Sequence, residues 1–218
     1  MRVFLIAAAC VVCGAGSSFA QSERAYVDVD GGVAMSSDVT SGDLLGEVGV
    51  RVARNLYVFA DVGRFHNVQP SEVQPSVDAA DAVLSAQGVG VTGVARVPAW
   101  QTLGGVRYTI PTRWIASPYV IGGAGVARLT PSATFTYASG TLPGTAPAVG
   151  DDVTSQVISL GDFTQPVAAN AFMFTIGGGV RVPIAPRLDV DLGYRVSRIN
   201  ADTPVNANSF IAGIGYRF

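Results

Sequence analysis

Leu188-Asp189-Val190-Asp191-Leu192-Gly193-Tyr194-Arg195-Val196-Ser197 is the stretch on which the fold turns. Leu188, Val190, Leu192, Tyr194 and Val196 alternate with Asp189, Asp191, Gly193, Arg195 and Ser197. A period of two becomes one apolar and one polar face only in a β-strand. The end of the chain repeats it: Phe210, Ala212, Ile214, Tyr216 and Phe218 alternate with Ile211, Gly213, Gly215 and Arg217.

Working outward from these two, the chain breaks into eight segments of roughly ten residues. They run over Ala25–Ala34, Gly46–Arg54, Asn55–Phe65, Ala95–Ile110, Pro118–Leu129, Ala171–Pro183, Arg187–Ile199 and Asn206–Phe218. The third and fifth are apolar on both faces, so their phase is weakly marked. Tight connections at Arg54-Asn55, Pro111–Ser117 and Ile184-Ala185-Pro186 alternate with longer ones at Met35–Leu45, His66–Val94, Thr130–Asn170 and Asn200–Val205. Membrane barrels alternate in this way, with tight periplasmic turns and longer outer loops. A soluble sandwich has no reason to shorten every second connection. The reading is therefore an all-β fold, an eight-stranded antiparallel up-and-down transmembrane β-barrel with both ends in the periplasm.

Composition agrees. Charged residues make up 14% of the chain and the mean hydropathy is +0.37. Beyond the N-terminus no apolar run approaches the ~20 residues of a spanning helix. Met1-Arg2, the apolar run Val3 to Cys13 and Ser18-Phe19-Ala20 read as a cleavable signal peptide over 1–20, leaving a barrel domain over 21–218. Both cysteines, Cys10 and Cys13, fall inside that signal, which excludes a disulfide framework or Cys-based metal site from the mature chain. All 14 basic residues are arginine, and a net charge of -2 is too small to argue for any partner by electrostatics; no nucleic-acid partner is expected.

Charge follows the strand phase. Arg54, Arg64, Arg96 and Arg198 fall on the lipid-facing phase only at strand ends. The opposite phase carries Asp28, Asp30, Glu47, Asp61, Asp189 and Asp191 against Arg51, Arg107, Arg128, Arg181, Arg195 and Arg217. Enclosed charges must pair or be wetted. Counting heights along neighbouring strands predicts a network of Asp28, Asp30, Arg51, Arg181, Asp189, Asp191 and Arg217 in the periplasmic half of the lumen. Aromatics mark two interfacial belts: Tyr108, Trp114, Tyr119, Tyr216 and Phe218 on the periplasmic side, and Phe65, Trp100, Phe172, Phe174 and Phe210 on the outer side.

The chain resembles the small eight-stranded outer-membrane barrels of the OmpA/OmpX type, in the outer-membrane protein β-barrel domain family, over 21–218. Phe210, Ala212, Ile214, Tyr216 and Phe218 look like the family's C-terminal assembly signal, with a terminal aromatic and apolar residues at alternate positions before it. Gly105-Val106-Arg107-Tyr108 and Pro118-Tyr119-Val120-Ile121-Gly122-Gly123-Ala124-Gly125 resemble a Gly-rich hairpin frequent among these barrels. The resemblance implies a bacterial outer-membrane location. It also implies contact with outer-membrane lipids and lipopolysaccharide, and with the barrel-assembly machinery during biogenesis.

Three functions follow from these readings. The first is a monomeric, non-enzymatic surface barrel with a charge-filled lumen, which contributes to envelope integrity or binds an unidentified ligand through its outer loops. The second is a narrow channel for ions or small solutes. The third, a lipid A-modifying enzyme, would use the single histidine, His66; Val68 stands where the deacylase pattern wants a serine, and Ser71 lies further along the loop. No cofactor is expected. One histidine is too few for a His-based metal site. Asp38, Asp43, Glu72, Asp78, Asp81, Asp151, Asp152, Asp162 and Asp202 make the outer loops acidic, and Asp151-Asp152 lacks the Asp/Asn/Gly repeat of a calcium loop. Within the second outer loop, Val77, Ala80 and Leu84 form a helical stripe over Pro75–Gln87, a helix placed to cover the mouth.

Overall fold

The period-two segments close into a barrel in the computed structural model, which describes residues 24–37, 39–70, 73–143, 146–161 and 163–218. The signal peptide expected over 1–20, with Cys10 and Cys13, lies outside the described residues, as do Asp38, Ser71, Glu72 and Asp162. Strands β1 (Ala25–Ser36), β2 (Val39–Ala53), β3 (Leu56–Phe65), β5 (Ala99–Thr109), β6 (Ser117–Leu129), β8 (Ala169–Ala185), β9 (Leu188–Asn200) and β10 (Val205–Arg217) form the wall. Their order around it is β1-β10-β9-β8-β6-β5-β3-β2. Each neighbouring pair is antiparallel, and Val27 opposite Tyr216 and Val33 opposite Phe210 seal β1 against β10. Closure leaves no unpaired edge, which is what a backbone in hydrocarbon requires.

Outward positions carry exposed Val29, Val48, Val62, Val106, Val126, Ile176, Leu192 and Ile214. Such a band of exposed branched residues is a surface for lipid, not for water. No helix among the described residues is long and apolar enough to cross a membrane; the strands cross instead.

The wall differs from the sequence reading in two places. Met35–Leu45 is not a long loop: β1 and β2 stay paired up to Ser36 opposite Val39, and Ser37 turns with φ 49. Its Ser, Thr, Gly and Asp composition suits a turn, but strand pairing satisfies the same backbone groups. Ala95–Ile110 is not one strand, because Val97-Pro98 separates β5 from β4 (Val89–Arg96). Pro98 has no N–H for a ladder and marks the break.

The second and third long connections leave the wall and fold on each other. β4 pairs with β7 (Ser132–Gly140) as a separate two-stranded sheet. Helices α1 (Val73–Ala86) and α2 (Thr154–Leu160) complete a lobe with its own core, including Val77, Leu84, Val91, Phe135, Val153 and Val157. The helix expected over Pro75–Gln87 therefore forms, but its stripe of Val77, Ala80 and Leu84 packs into this lobe core and not over the lumen. A bare two-stranded edge invites foreign pairing. Side chains block that of β4: Gln74 accepts from Ala95 N at 3.1 Å and donates to Gly93 O at 3.2 Å, while Asp81 accepts from Gly93 N at 2.8 Å.

Candidate functional site

The inner face of the barrel is built from alternate positions of strands whose outer positions are apolar. Tyr26, Asp28 and Asp30 come from β1, Glu47 from β2, Asp61 from β3 and Arg107 from β5. Tyr119 comes from β6, Arg181 from β8, Asp189, Asp191 and Arg195 from β9, and Arg217 from β10. Gly213 and Gly215 face inward on β10, and the carboxylates of Asp30 and Asp28 lie over them where a Cβ would collide.

Arg107 is the hub. It is 2% exposed and reaches Asp28 at 3.1 Å, Glu47 at 2.8 Å and Asp191 at 3.7 Å. The rings of Tyr119 and Tyr26 cover its guanidinium, with centroids at 4.3 and 4.7 Å. Their hydroxyls extend the network: Tyr26 donates to Glu47 at 2.6 Å and Tyr119 to Asp191 at 2.7 Å. Arg181 joins Asp28 and lies 3.5 Å from Asp191. One level further from the chain ends, Arg195 bridges Glu47 at 2.7 Å and Asp61 at 2.9 Å. Arg217 pairs with Asp189 at 2.7 Å. Glu47 thus links the two guanidinium levels, and the ion pairs cross the lumen from β5 and β9 to β1, β2 and β3.

Of the seven residues expected to form the network, the structure brings five together in ion pairs: Asp28, Arg181, Asp189, Asp191 and Arg217. The other two are corrected. Arg51 is half-buried at the rim of the turn end, beside Arg24 and Arg54, and joins no ion pair among the described residues. Asp30 is buried over Gly213 with no ion-pair partner among the described residues. Arg107, Glu47, Arg195 and Asp61 carry most of the contacts, although counting strand heights leaves them out. Arg128, assigned to the inner phase, is exposed on the outer face, because Ala127 and Leu129 are the buried residues there. Tyr119 leaves its expected belt for the same reason, at 4% exposure, and Phe65, on the inward phase of β3 with Asp61, is 1% exposed. Tyr108, Trp114, Trp100, Phe172, Phe174, Phe210, Tyr216 and Phe218 remain exposed. Among the C-terminal residues, Phe210 and Ile214 face outward, as does Tyr216, packed edge-to-face on Phe218 with centroids 4.9 Å apart.

Toward the lobe, the lumen passes from charge to apolar filling. A gap lined by Asp43, Asp61, Phe65, Gln101, Met173 and Arg195 is too narrow for a water-sized sphere. Beyond it Phe65, Leu103, Met173, Ile199 and Val205 pack with Val68 and Val97, which fold in from the ends of β3 and β4. At the turn end a cavity of about 80 Å³ remains between Tyr26, Tyr57, Arg107, Tyr119, Arg181 and Arg217.

The lobe end offers a wider opening, a cleft of about 640 Å³ lined by Val73, Val97, Leu129, Pro131, Val167 and Asn200. His66 stands exposed just past the end of β3, its N–H donating to Gly42 O at 2.9 Å, while Val68 is buried. In the lobe, Asp152 accepts from Thr154 N at 2.9 Å and Thr154 Oγ1 at 2.5 Å, which holds its carboxyl below the usual range. That support for the start of α2 is present at neutral pH and lost as pH falls through the lowered value. Partial burial acts oppositely on Asp81 and raises it. Among the described residues, no group of three or more His, Cys, Asp or Glu is placed to hold a metal.

A closed eight-stranded barrel with a lipid-suited exterior and charged interior defines an outer-membrane barrel protein. The chain belongs to the outer membrane protein β-barrel domain family, whose model matches residues 6–218. Its location is accordingly the bacterial outer membrane. Among solved structures it is similar to Neisserial surface protein A, at 17% identity and a TM-score of 0.54, covering 89% of this chain and 97% of that one. It is also similar to a major outer membrane protein from Thermus thermophilus, at 12% identity and a TM-score of 0.54, covering 89% and 99%. A search of curated proteins gives no match. At these identities the likeness concerns the fold.

Proposed function

We propose that this protein is a non-conducting, non-catalytic surface barrel that holds a folded lobe outside the cell and binds a ligand there. The observation that carries the reading is continuous filling of the lumen. The Arg107 and Arg195 ion pairs occupy one half, and the apolar packing of Phe65, Val68, Val97 and Met173 occupies the other. Eight strands enclose just enough space for side chains to do this. A filled barrel serves as a mount. What it mounts is two connections sharing one core, with the 640 Å³ cleft at their base as the ligand site. In this reading His66 is a rim residue, the chain acts as a monomer in lipid, and the alternate apolar positions from Phe210 to Phe218 serve its assembly.

Orientation is tested by labelling with a membrane-impermeant thiol reagent. Val149, in the lobe connections, and Ile115, in the β5–β6 turn, are 78% and 79% exposed. Val149→Cys is expected to label on intact cells and Ile115→Cys only after lysis. The reverse pattern would place the lobe in the periplasm and end the surface reading.

A further inference from the structure

The outer face of the wall carries charge that the lumen network does not explain. Arg64 on β3 lies directly across from Trp100 on β5, and Trp100 directly across from Arg128 on β6. All three are exposed, each one residue from the lobe end of its strand. Two strand spacings put the arginine backbones about 10 Å apart. The Arg64 guanidinium sits over the Trp100 ring, 5.5 Å from its centroid. Neither arginine forms an ion pair among the described residues.

The next row toward mid-barrel is Val62, Thr102 and Val126, which face lipid. The arginines therefore stand where hydrocarbon gives way to head groups, with their stems over apolar surface and their N–H forks at the polar boundary. An uncompensated pair of forks is suited to phosphate oxygens, which guanidinium binds bidentately. An indole between them is at home at that depth.

We infer that Arg64 and Arg128, flanking Trp100, bind the phosphate of an anionic lipid head group in the leaflet on the lobe side. The site ties the barrel's height and rotation to the lipid around it. It rests on the orientation proposed above for the identity of the leaflet, but binding in micelles does not depend on sidedness. Failure of binding and failure of orientation are thus separable.

Trp100 and Trp114 are the chain's two tryptophans. Trp114→Phe therefore makes Trp100 emission a local reporter. The barrel, folded in phosphatidylcholine micelles, is titrated with diphosphorylated lipid A. A saturable change is expected. Arg64→Gln with Arg128→Gln should weaken it by about 10- to 30-fold, and the paired Lys variant should lose less. Arg54→Gln, at the opposite end of the barrel, should leave it unchanged. Dephosphorylated lipid A should bind the unaltered arginine pair as weakly as the diphosphorylated lipid binds the Gln variant. That comparison decides the matter even if the Gln variant fails to fold. Equal binding of phosphorylated and dephosphorylated lipid would overturn the site. So would a folded Gln variant that binds normally, or an Arg54→Gln variant as weak as the pair. Displacement by millimolar inorganic phosphate would overturn the lipid assignment and put a soluble anion in its place.

Discussion

Arg107→Met is expected to destabilise the barrel by about 3–5 kcal/mol, the usual cost of removing one partner from a buried ion pair. Methionine fills similar space, so the loss reports charge more than volume. Without the guanidinium, Glu47 retains Arg195 and Asp28 and Asp191 retain Arg181, but their shared cation is gone. Tyr26 and Tyr119 would also lose the cation between their rings. Adding Glu47→Gln should restore part of the loss, since it removes one of the carboxylates left behind. Arg51→Met is the control: at the rim and without an ion pair among the described residues, it should change stability by no more than about 0.5 kcal/mol. Urea midpoints of the folded chain in lipid would measure all three. Equal effects at Arg51 and Arg107 would show that the lumen is wet enough to make burial irrelevant.

Phe135→Ala is expected to unfold the lobe and spare the barrel. Phe135 is 0% exposed and packs edge-to-face on Phe163, with centroids 5.0 Å apart. Its backbone ties β7 to the start of α2, accepting from Val153 N at 2.9 Å and donating to Thr154 Oγ1 at 2.9 Å. A buried Phe→Ala change costs about 3–5 kcal/mol. A two-stranded sheet is marginal without packing against helices, and Phe135 shares the core in which Val77 of α1 and Val157 of α2 meet the sheet. Hydrogen exchange should therefore show α1, β4, β7 and α2 losing protection together while β9 and β10 keep theirs. Loss of protection confined to Phe135 and its immediate neighbours would mean that the lobe is not a cooperative unit. Loss across the barrel as well would mean that the two cores are one.

Strands with a polar inner face are legible in sequence; those with two apolar faces are not. In β9, Asp189, Asp191 and Arg195 mark one phase and Leu192 and Tyr194 the other, so pattern and burial agree. In β6, Gly122, Gly123 and Gly125 offer no side chain to set the phase, and the pattern puts both Tyr119 and Arg128 on the wrong side. The network's members are visible as charges, but its centre is not. Heights counted along adjacent strands miss contacts across the lumen, where Arg107 on β5 meets Asp28 on β1. Gln74 and Asp81 look in sequence like ordinary polar positions of a surface helix. Only the meeting of two distant loops turns them into caps for the edge of β4.

Planar-bilayer recording of the purified, folded mature chain tests the filled lumen most directly. The account predicts a baseline indistinguishable from protein-free bilayers over a range of voltages. Steady openings whose size scales with salt would contradict it and restore the narrow channel as the better reading.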